Sequence, residues 1–291
     1  MLDPKKFAMF ILTHGRPNSV ITYKSLRSCG YTGKIYIIID NEDTQADEYT
    51  KIFGKEFVIQ FDKAAIGKTF DIADTRTDRR ATVYARNASF QIAKDLGLDY
   101  FMQLDDDYKD FWYRWVKDNE IKSTKIMQLD QVIDALINFL DETNALSVAM
   151  AQGGDYIGGS SNLSKRPLIR KAMNSWLFRT NKPANFVGRM NDDVNTYITH
   201  GTRGDIFLTA TALMVDAEKT QVIKGGMSET YIENGTYMKS MYTVMMQPSS
   251  VTVRYMGLTH PRLHHSIKWN NTVPKIINDK HKKPCEYNAP A

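Results

Sequence analysis

Cysteine is almost missing from this chain of 291 residues: only Cys29 and Cys285 occur, far apart and in no metal-type spacing. That excludes a disulfide framework and a zinc cluster, and it suits a reducing compartment, so a cytoplasmic location is expected. Long apolar runs are missing too. Nothing approaches the roughly 20 apolar residues that cross a bilayer. The opening MLDPKKFAMFILTHGRPN has only a short apolar stretch between charged and polar residues, which reads as a first strand and not as a signal peptide or membrane anchor. Repeats, low-complexity tracts and a clear linker are lacking, so one catalytic unit over residues 1–291 is expected. Phosphate-loop signatures are absent as well. Gly153, Gly154, Gly158 and Gly159 match neither a Walker loop nor a dinucleotide fingerprint. They read equally as a flexible loop or as a close backbone approach to a ligand.

What is present is a 42% hydrophobic content, enough for a sizeable core, and an alternation of strand and helix patterns in the first half. Apolar runs predict strands at 6–12, 34–39, 56–61 and 100–104, and helical spacing predicts helices at 19–28 (capped by Asn18 or Ser19), from Thr44 or Asp47 towards Phe53, and at 83–96 with Gly97 as the stop. Residues 62–80 read as a loop near a site. This predicts an α/β fold with a mainly parallel, Rossmann-like sheet flanked by helices. Further on, 111–116 and 121–127 read as a hairpin, 129–140 as an amphipathic helix capped near Asp130, and 147–150 and 208–215 as strands. The aromatic set Tyr108, Phe111, Trp112, Tyr113 and Trp115 reads as core more than as a ligand platform.

The chemistry centres on Asp105-Asp106-Asp107, which follows an apolar strand directly. Three adjacent carboxylates repel one another, and a hard cation such as Mg²⁺ or Mn²⁺ resolves the conflict by bridging carboxylates to a diphosphate. Open parallel sheets bind ligands at the carboxyl ends of their strands, where this triplet falls. Acids exposed in a turn, or capping a following helix, are the bland alternative.

Thr13-His14-Gly15-Arg16-Pro17, Asp40, Ala85-Arg86-Asn87 and Leu104-Asp105-Asp106-Asp107 together resemble a GT-A glycosyltransferase. With the later RLHHSIKWNN, they are similar to the TET-associated and bacteriophage family that glycosylates 5-hydroxymethylpyrimidines in DNA. The resemblance implies a UDP-sugar donor, with Thr13, Gly15, Arg16 and Asp40 around the nucleoside and Arg86 near the diphosphate. It also implies a donor role for Asp105 and Asp106, and Mn²⁺ or Mg²⁺ on Asp107 and Asp105 with help from His264 or His265. Residues 1–107 would form the nucleotide-sugar half and 108–291 the acceptor half.

By the same resemblance, Asp193 is the first choice for the base that deprotonates the acceptor and Asp192 the second. One of that pair capping a helix near Val194 is the competing use. Basic stretches suit a polyanionic partner: Lys165, Arg166, Arg170, Lys171, Arg179 and Lys182 fall in an acid-free run, and Lys268 and Lys275 follow later. Trp176 and Trp269 lie among them as candidate stacking surfaces. The expected activity is transfer of glucose or arabinose to hydroxymethylcytosine or hydroxymethyluracil in DNA, with inversion, in the host cytoplasm if the chain comes from a phage. A glycosyltransferase acting on an envelope glycan or protein, and a sugar nucleotidyltransferase, are the rival readings.

Overall fold

The computed structural model describes residues 6–74, 79–156, 159, 174–218, 227–256 and 262–283. Strand β1 (Phe7–Leu12) leads through a 3-10 turn to helix α1 (Ile21–Ser28), then β2 (Lys34–Asp40), α2 (Ala46–Phe53), β3 (Val58–Phe61), the one-turn α3 (Lys63–Ile66), α4 (Val83–Asp95) and β4 (Tyr100–Asp105). A hairpin of β5 (Tyr108–Lys117) and β6 (Glu120–Lys125) follows, then α5 (Leu129–Thr143), β7 (Ser147–Gln152), β8 (Trp176–Arg179), α6 (Asp192–Thr202) and β9 (Phe207–Ala217). Last come α7 (Met227–Met246), broken at Gly235, and the pair β10 (Val251–Met256) and β11 (Arg262–Ile267).

Among the described residues, nine strands form one sheet in the order β3-β2-β1-β4-β8-β7-β9-β5-β6, and β10 and β11 form a separate two-stranded ribbon. Neighbours from β3 to β4 pair in parallel, as do β7 and β9, whereas β8 and the β5–β6 hairpin pair antiparallel. The expected α/β class, a large sheet flanked by helices, is what the chain forms.

The continuous apolar run of β1 has a direct cause. Side chains alternate between the faces of a strand, and helices cover both faces here. Met9 and Ile11 join Ile37, Met102 and Leu104 in one core with α1, α2 and α5, whereas Ala8, Phe10 and Leu12 join Ile38 and Phe101 in a second core with α4 and α6. Helix α5 buries Leu129, Val132, Ile133, Leu136, Ile137 and Leu140, the one-sided spacing of an amphipathic helix. Each such burial contributes about 1.5–3 kcal/mol. The outer edge strand β6 carries Lys122 and Lys125, which discourages pairing with another chain.

Several local expectations are corrected. Asn18 and Ser19 do not cap α1: Pro17–Ser19 is a 3-10 turn, and Val20 precedes the helix without a side-chain cap. Asp130 does not cap α5 either, because its carboxylate accepts from the Thr32 amide (3.0 Å) and hydroxyl (2.7 Å) across the fold. Residues 62–80 contain α3, capped by Asp62, whose carboxylate accepts from the Ala65 amide. In α4 the buried face runs through Val83, Tyr84, Arg86, Ala88, Ser89, Ile92 and Ala93, with Ala85 and Leu96 only partly covered. The hairpin turn forms as expected at Asp118-Asn119, both at positive φ (53° and 60°), which matches the twist of the strands.

Candidate functional site

The sheet order places the site. Strand β1 has β2 on one side and β4 on the other, so chain direction around the sheet reverses between β1 and β4, the point beyond whose carboxyl ends open α/β sheets bind ligands. Leu12 is the register partner of Asp105, so the loop after β1 and the acidic triplet leave the sheet side by side. Asp40 ends β2, the next strand along.

The triplet divides its work. Asp106 turns inward and is buried: its carboxylate accepts from the Thr13 hydroxyl (2.6 Å) and from Arg16 through Nε (2.7 Å) and Nη2 (2.8 Å). A bidentate guanidinium contact of this kind is strong and directional. Thr13 has a single proton and gives it to Asp106, so the Tyr49 hydroxyl donates to Thr13 (3.0 Å) while accepting from the Arg16 amide (2.9 Å). Burial pushes the Tyr49 hydroxyl up to about 12, so it stays a donor throughout the physiological range. Asp106 and Arg16, expected at the donor, are thus used to tie the first loop to the triplet. Helix α1 clamps the triplet's backbone as well: Thr22 donates to the Asp105 carbonyl (2.6 Å) and accepts from the Tyr108 amide (2.8 Å).

Asp107 has no ion-pair partner among the described residues. Burial first, then the charges of Asp105 and Asp106, push its carboxyl up to about 7. Burial raises Asp105 as well, opposed by the Arg86 guanidinium.

Arg86 is the junction of the site. It rises from α4, is 3% exposed, and lies 5.6 Å above the Phe186 ring. Its Nη2 reaches Asp105 Oδ1 at 3.2 Å, and its Nε lies 2.8 Å from Asp192 Oδ2, an ion pair not aligned as a hydrogen bond. Arg86 therefore joins the end of β4 to the start of α6, and both of its charged contacts are to protein carboxylates. Neither Asp192 nor Asp193 caps α6. Asn191 precedes the helix in the left-handed region (φ 54°), and both acids occupy the first turn, where the helix dipole favours negative charge. Burial holds Asp192 above the usual carboxylate range; Arg86 opposes this, and the charges of Asp193 and Asp105 add to it. The charge of Asp193 acts on Asp105 too, so the two acidic motifs share one electrostatic site.

Asp40 is saturated: it accepts from His14 Nδ1 (2.8 Å), Lys63 Nζ (3.1 Å) and the Glu42 amide (3.0 Å). Burial would raise its carboxyl, but the bond from His14 and the charge of Lys63 outweigh it and hold it low. Gly15, at φ 69°, donates its amide to Asp43 Oδ2 (2.7 Å). The last turn before α6 is fixed by Arg189, fully buried, which pairs with Asp74 and reaches the Tyr242 hydroxyl.

His264 and His265 lie on β11. His264 Nδ1 donates to the His265 carbonyl (2.8 Å), and His265 Nδ1 faces the Asn191 amide nitrogen at 3.4 Å. His265 thus reaches the residue before Asp192. Among the described residues, no three His, Cys, Asp or Glu side chains gather closely enough to hold a metal ion.

Lys165, Arg166, Arg170 and Lys171 lie outside the described residues. Lys268 is exposed just after β11. Trp176 is no stacking surface: it is fully buried in β8 against Phe178, Phe186 and Phe207. Trp269 packs on Tyr197, with ring centroids 5.6 Å apart. Of the aromatic set, Tyr108 and Phe111 are core, and Trp115 is 44% exposed.

Sequence reasoning passed over Thr22, Tyr49, Lys63 and Asn191. Only Asn191 carried a signal, as a residue that tolerates the left-handed region directly before two acids.

The family model for TET-associated glycosyltransferases matches residues 7–226, which include both acidic motifs and Arg86. The chain belongs to that family. This TET-associated glycosyltransferase has no match among curated proteins. Among solved structures it resembles S. aureus TarS at 14% identity and a TM-score of 0.43, over 74% of this chain and 37% of that one. The chain therefore spans little more than a third of the TarS chain. It also resembles glucosyl-3-phosphoglycerate synthase from Mycobacterium tuberculosis, crystallised with Mn²⁺, UDP and phosphoglyceric acid, at 8% identity and a TM-score of 0.46, over 90% of this chain and 87% of that one. Both likenesses are loose. No helix among the described residues is long and apolar enough to cross a membrane.

Proposed function

We propose that this glycosyltransferase moves glucose or arabinose from a UDP-sugar to the 5-hydroxymethyl group of hydroxymethylcytosine or hydroxymethyluracil in phage DNA, with inversion. The observation that carries this reading is the meeting of Asp105 and Asp192 on Arg86, which brings the donor motif and the base motif of a family member into one site. Residues 1–107 supply the donor side, and 108–291 supply the base and the acceptor surface.

The residues fit a hard divalent cation, Mn²⁺ or Mg²⁺. Asp107 is a carboxylate without an ion-pair partner among the described residues, raised to about 7 by burial and by its two neighbours, and added positive charge relieves that. Asp107 and Asp105 would hold the ion, with His264 or His265 as further candidates. When bound, it supplies charge for the departing diphosphate.

The chain's own residues do the rest. Asp106, held by Thr13 and Arg16, fixes the strand-end turn so that Asp105 and Asp107 stay presented. Gly15 lets the first loop turn back without a side chain, and its backbone would then approach the nucleoside. Asp193 takes the proton of the acceptor hydroxyl as that oxygen attacks the anomeric carbon, the bond to the diphosphate oxygen breaks, and UDP departs with the electron pair. Asp192 is paired with Arg86, which leaves Asp193 as the better placed base.

The test is UDP release with Mn²⁺ and UDP-glucose or UDP-arabinose, on duplexes that differ only in cytosine or 5-hydroxymethylcytosine. Release specific to the hydroxymethylated duplex, lost in Asp193→Asn, is expected. Equal release on both duplexes refutes the acceptor.

A further inference from the structure

The ribbon of β10 and β11 lies beyond residues 7–226, the segment that places the chain in its family. Directly opposed residues of an antiparallel pair share a face, so the register sorts the ribbon into two sides. Val251 with Ile267, Val253 with His265, and Tyr255 with Leu263 form the inner side: Val251 is buried, Ile267 packs on the second core, and His265 reaches Asn191. Thr252 with Ser266, Arg254 with His264, and Met256 with Arg262 form the outer side.

The outer side carries charge of one sign. Thr252, Arg254, Met256, Arg262 and the following Lys268 are exposed, and among the described residues neither arginine nor Lys268 forms an ion pair. No Asp or Glu occurs anywhere from Asn234 to Asn278. At the carboxyl end of β10, Tyr255 is 71% exposed and Met256 50% exposed. A solvated face with no function would normally mix the two signs, and solubility alone does not call for an exposed methionine beside the arginines with an exposed tyrosine on the opposite side of the same strand end.

We propose that this ribbon is the arm that grips the acceptor duplex, with Arg254, Arg262 and Lys268 on phosphates and the Tyr255–Met256 end against the groove; the inference rests on DNA being the acceptor. A two-stranded ribbon is of a size that the major groove of B-form DNA admits, and the 5-methyl position of a pyrimidine, where a hydroxymethyl group would sit, faces that groove. Phosphate contacts hold register, and this ribbon has a route to pass it on: its inner side meets Asn191, next to Asp192 and Asp193.

The test uses the full chain and a fluorescein-labelled 5-hydroxymethylcytosine duplex, with anisotropy read from 50 to 300 mM salt. Arg254→Gln/Arg262→Gln should weaken binding on the order of tenfold at 0.15 M salt and flatten the plot of log K against log salt by about 2, near 0.9 per lost phosphate contact. Arg254→Lys/Arg262→Lys should keep the slope, and Lys51→Gln on α2 should change nothing. Thermal midpoints within a degree or so of the parent show that the variants are folded. Equal affinity and slope for parent and glutamine variant overturn the ribbon assignment while leaving DNA as acceptor. Weakening seen on heparin but not on DNA overturns it too. If the parent binds no DNA at any salt, the acceptor reading and the ribbon assignment fall together.

Discussion

Replacing Arg86 by methionine tests the junction of the site. The guanidinium is almost wholly buried and faces Asp105 at 3.2 Å and Asp192 at 2.8 Å. Methionine keeps the contact with Phe186 but leaves the buried Asp192 and the part-buried Asp105 without their cation, and breaking a buried pair in this way costs about 3–5 kcal/mol. The site can limit the loss by taking up a proton. Burial already holds Asp192 above its usual range with Arg86 in place, and without Arg86 it rises further. A carboxyl raised on folding is tolerated protonated and penalised ionised, so the variant loses stability as pH rises from about 4 through its folded value. At pH 8 the loss of about 3 kcal/mol or more should appear, and it should shrink steadily as pH falls and the carboxyls take up protons. With a urea slope of about 3 kcal/mol per M, the pH 8 midpoint falls by about 1 M. Arg86→Met/Asp192→Asn, which removes one of the stranded charges, should recover more than half of the loss. A loss under about 1 kcal/mol at pH 8, or no recovery in the double variant, refutes the junction.

Other outcomes follow from single contacts. Asp193→Asn should lower kcat by about 10²–10⁴ while UDP affinity stays within about twofold, measured by steady-state kinetics and calorimetry; equal loss in Asp192→Asn alone would move the base to that residue. Asp205 accepts from His200 (2.6 Å), Lys280 (2.8 Å) and His281 (3.0 Å), and these bonds hold its carboxyl low against the effect of burial. Its contribution is present above the ordinary carboxylate value near 4 and is lost as pH falls below it, so Asp205→Asn should destabilise at pH 7 and shallow the acid limb of a stability–pH curve. Gly201→Ala improves helix propensity by about 1 kcal/mol, yet its methyl would sit 2.1 Å from the Thr272 carbonyl oxygen. The clash wins, and a net loss of about 1–3 kcal/mol is expected in chemical denaturation.

Much of the fold was legible because β1, β2 and β4 are covered on both faces and so read as unbroken apolar runs. The hairpin was legible from its turn. Strand β8 was not, because four residues give no period and Trp176 looked like a surface aromatic in a basic stretch. Helix caps failed where tertiary contacts took the polar side chain, as Thr32 takes Asp130. At the site, the acidic motifs were readable as local clusters at strand and helix ends. Their connection was not, since Arg86 meets Asp105 and Asp192 across 19 and 106 residues of chain, and an arginine in a helix pattern signals neither burial nor a bridge. The inward turn of Asp106 was equally hidden: three like residues in a row differ only once Thr13 and Arg16 are placed beside one of them.

The most direct measurement of the central claim is the mass of the acceptor itself. The full chain is incubated with Mn²⁺, UDP-glucose or UDP-arabinose, and duplex DNA containing 5-hydroxymethylcytosine or 5-hydroxymethyluracil, and the DNA is then digested to nucleosides and weighed. The account predicts a hydroxymethylated nucleoside heavier by one glycosyl unit, with no change in the unmodified pyrimidines and no product without the divalent ion. UDP release with every nucleoside at its starting mass would contradict it.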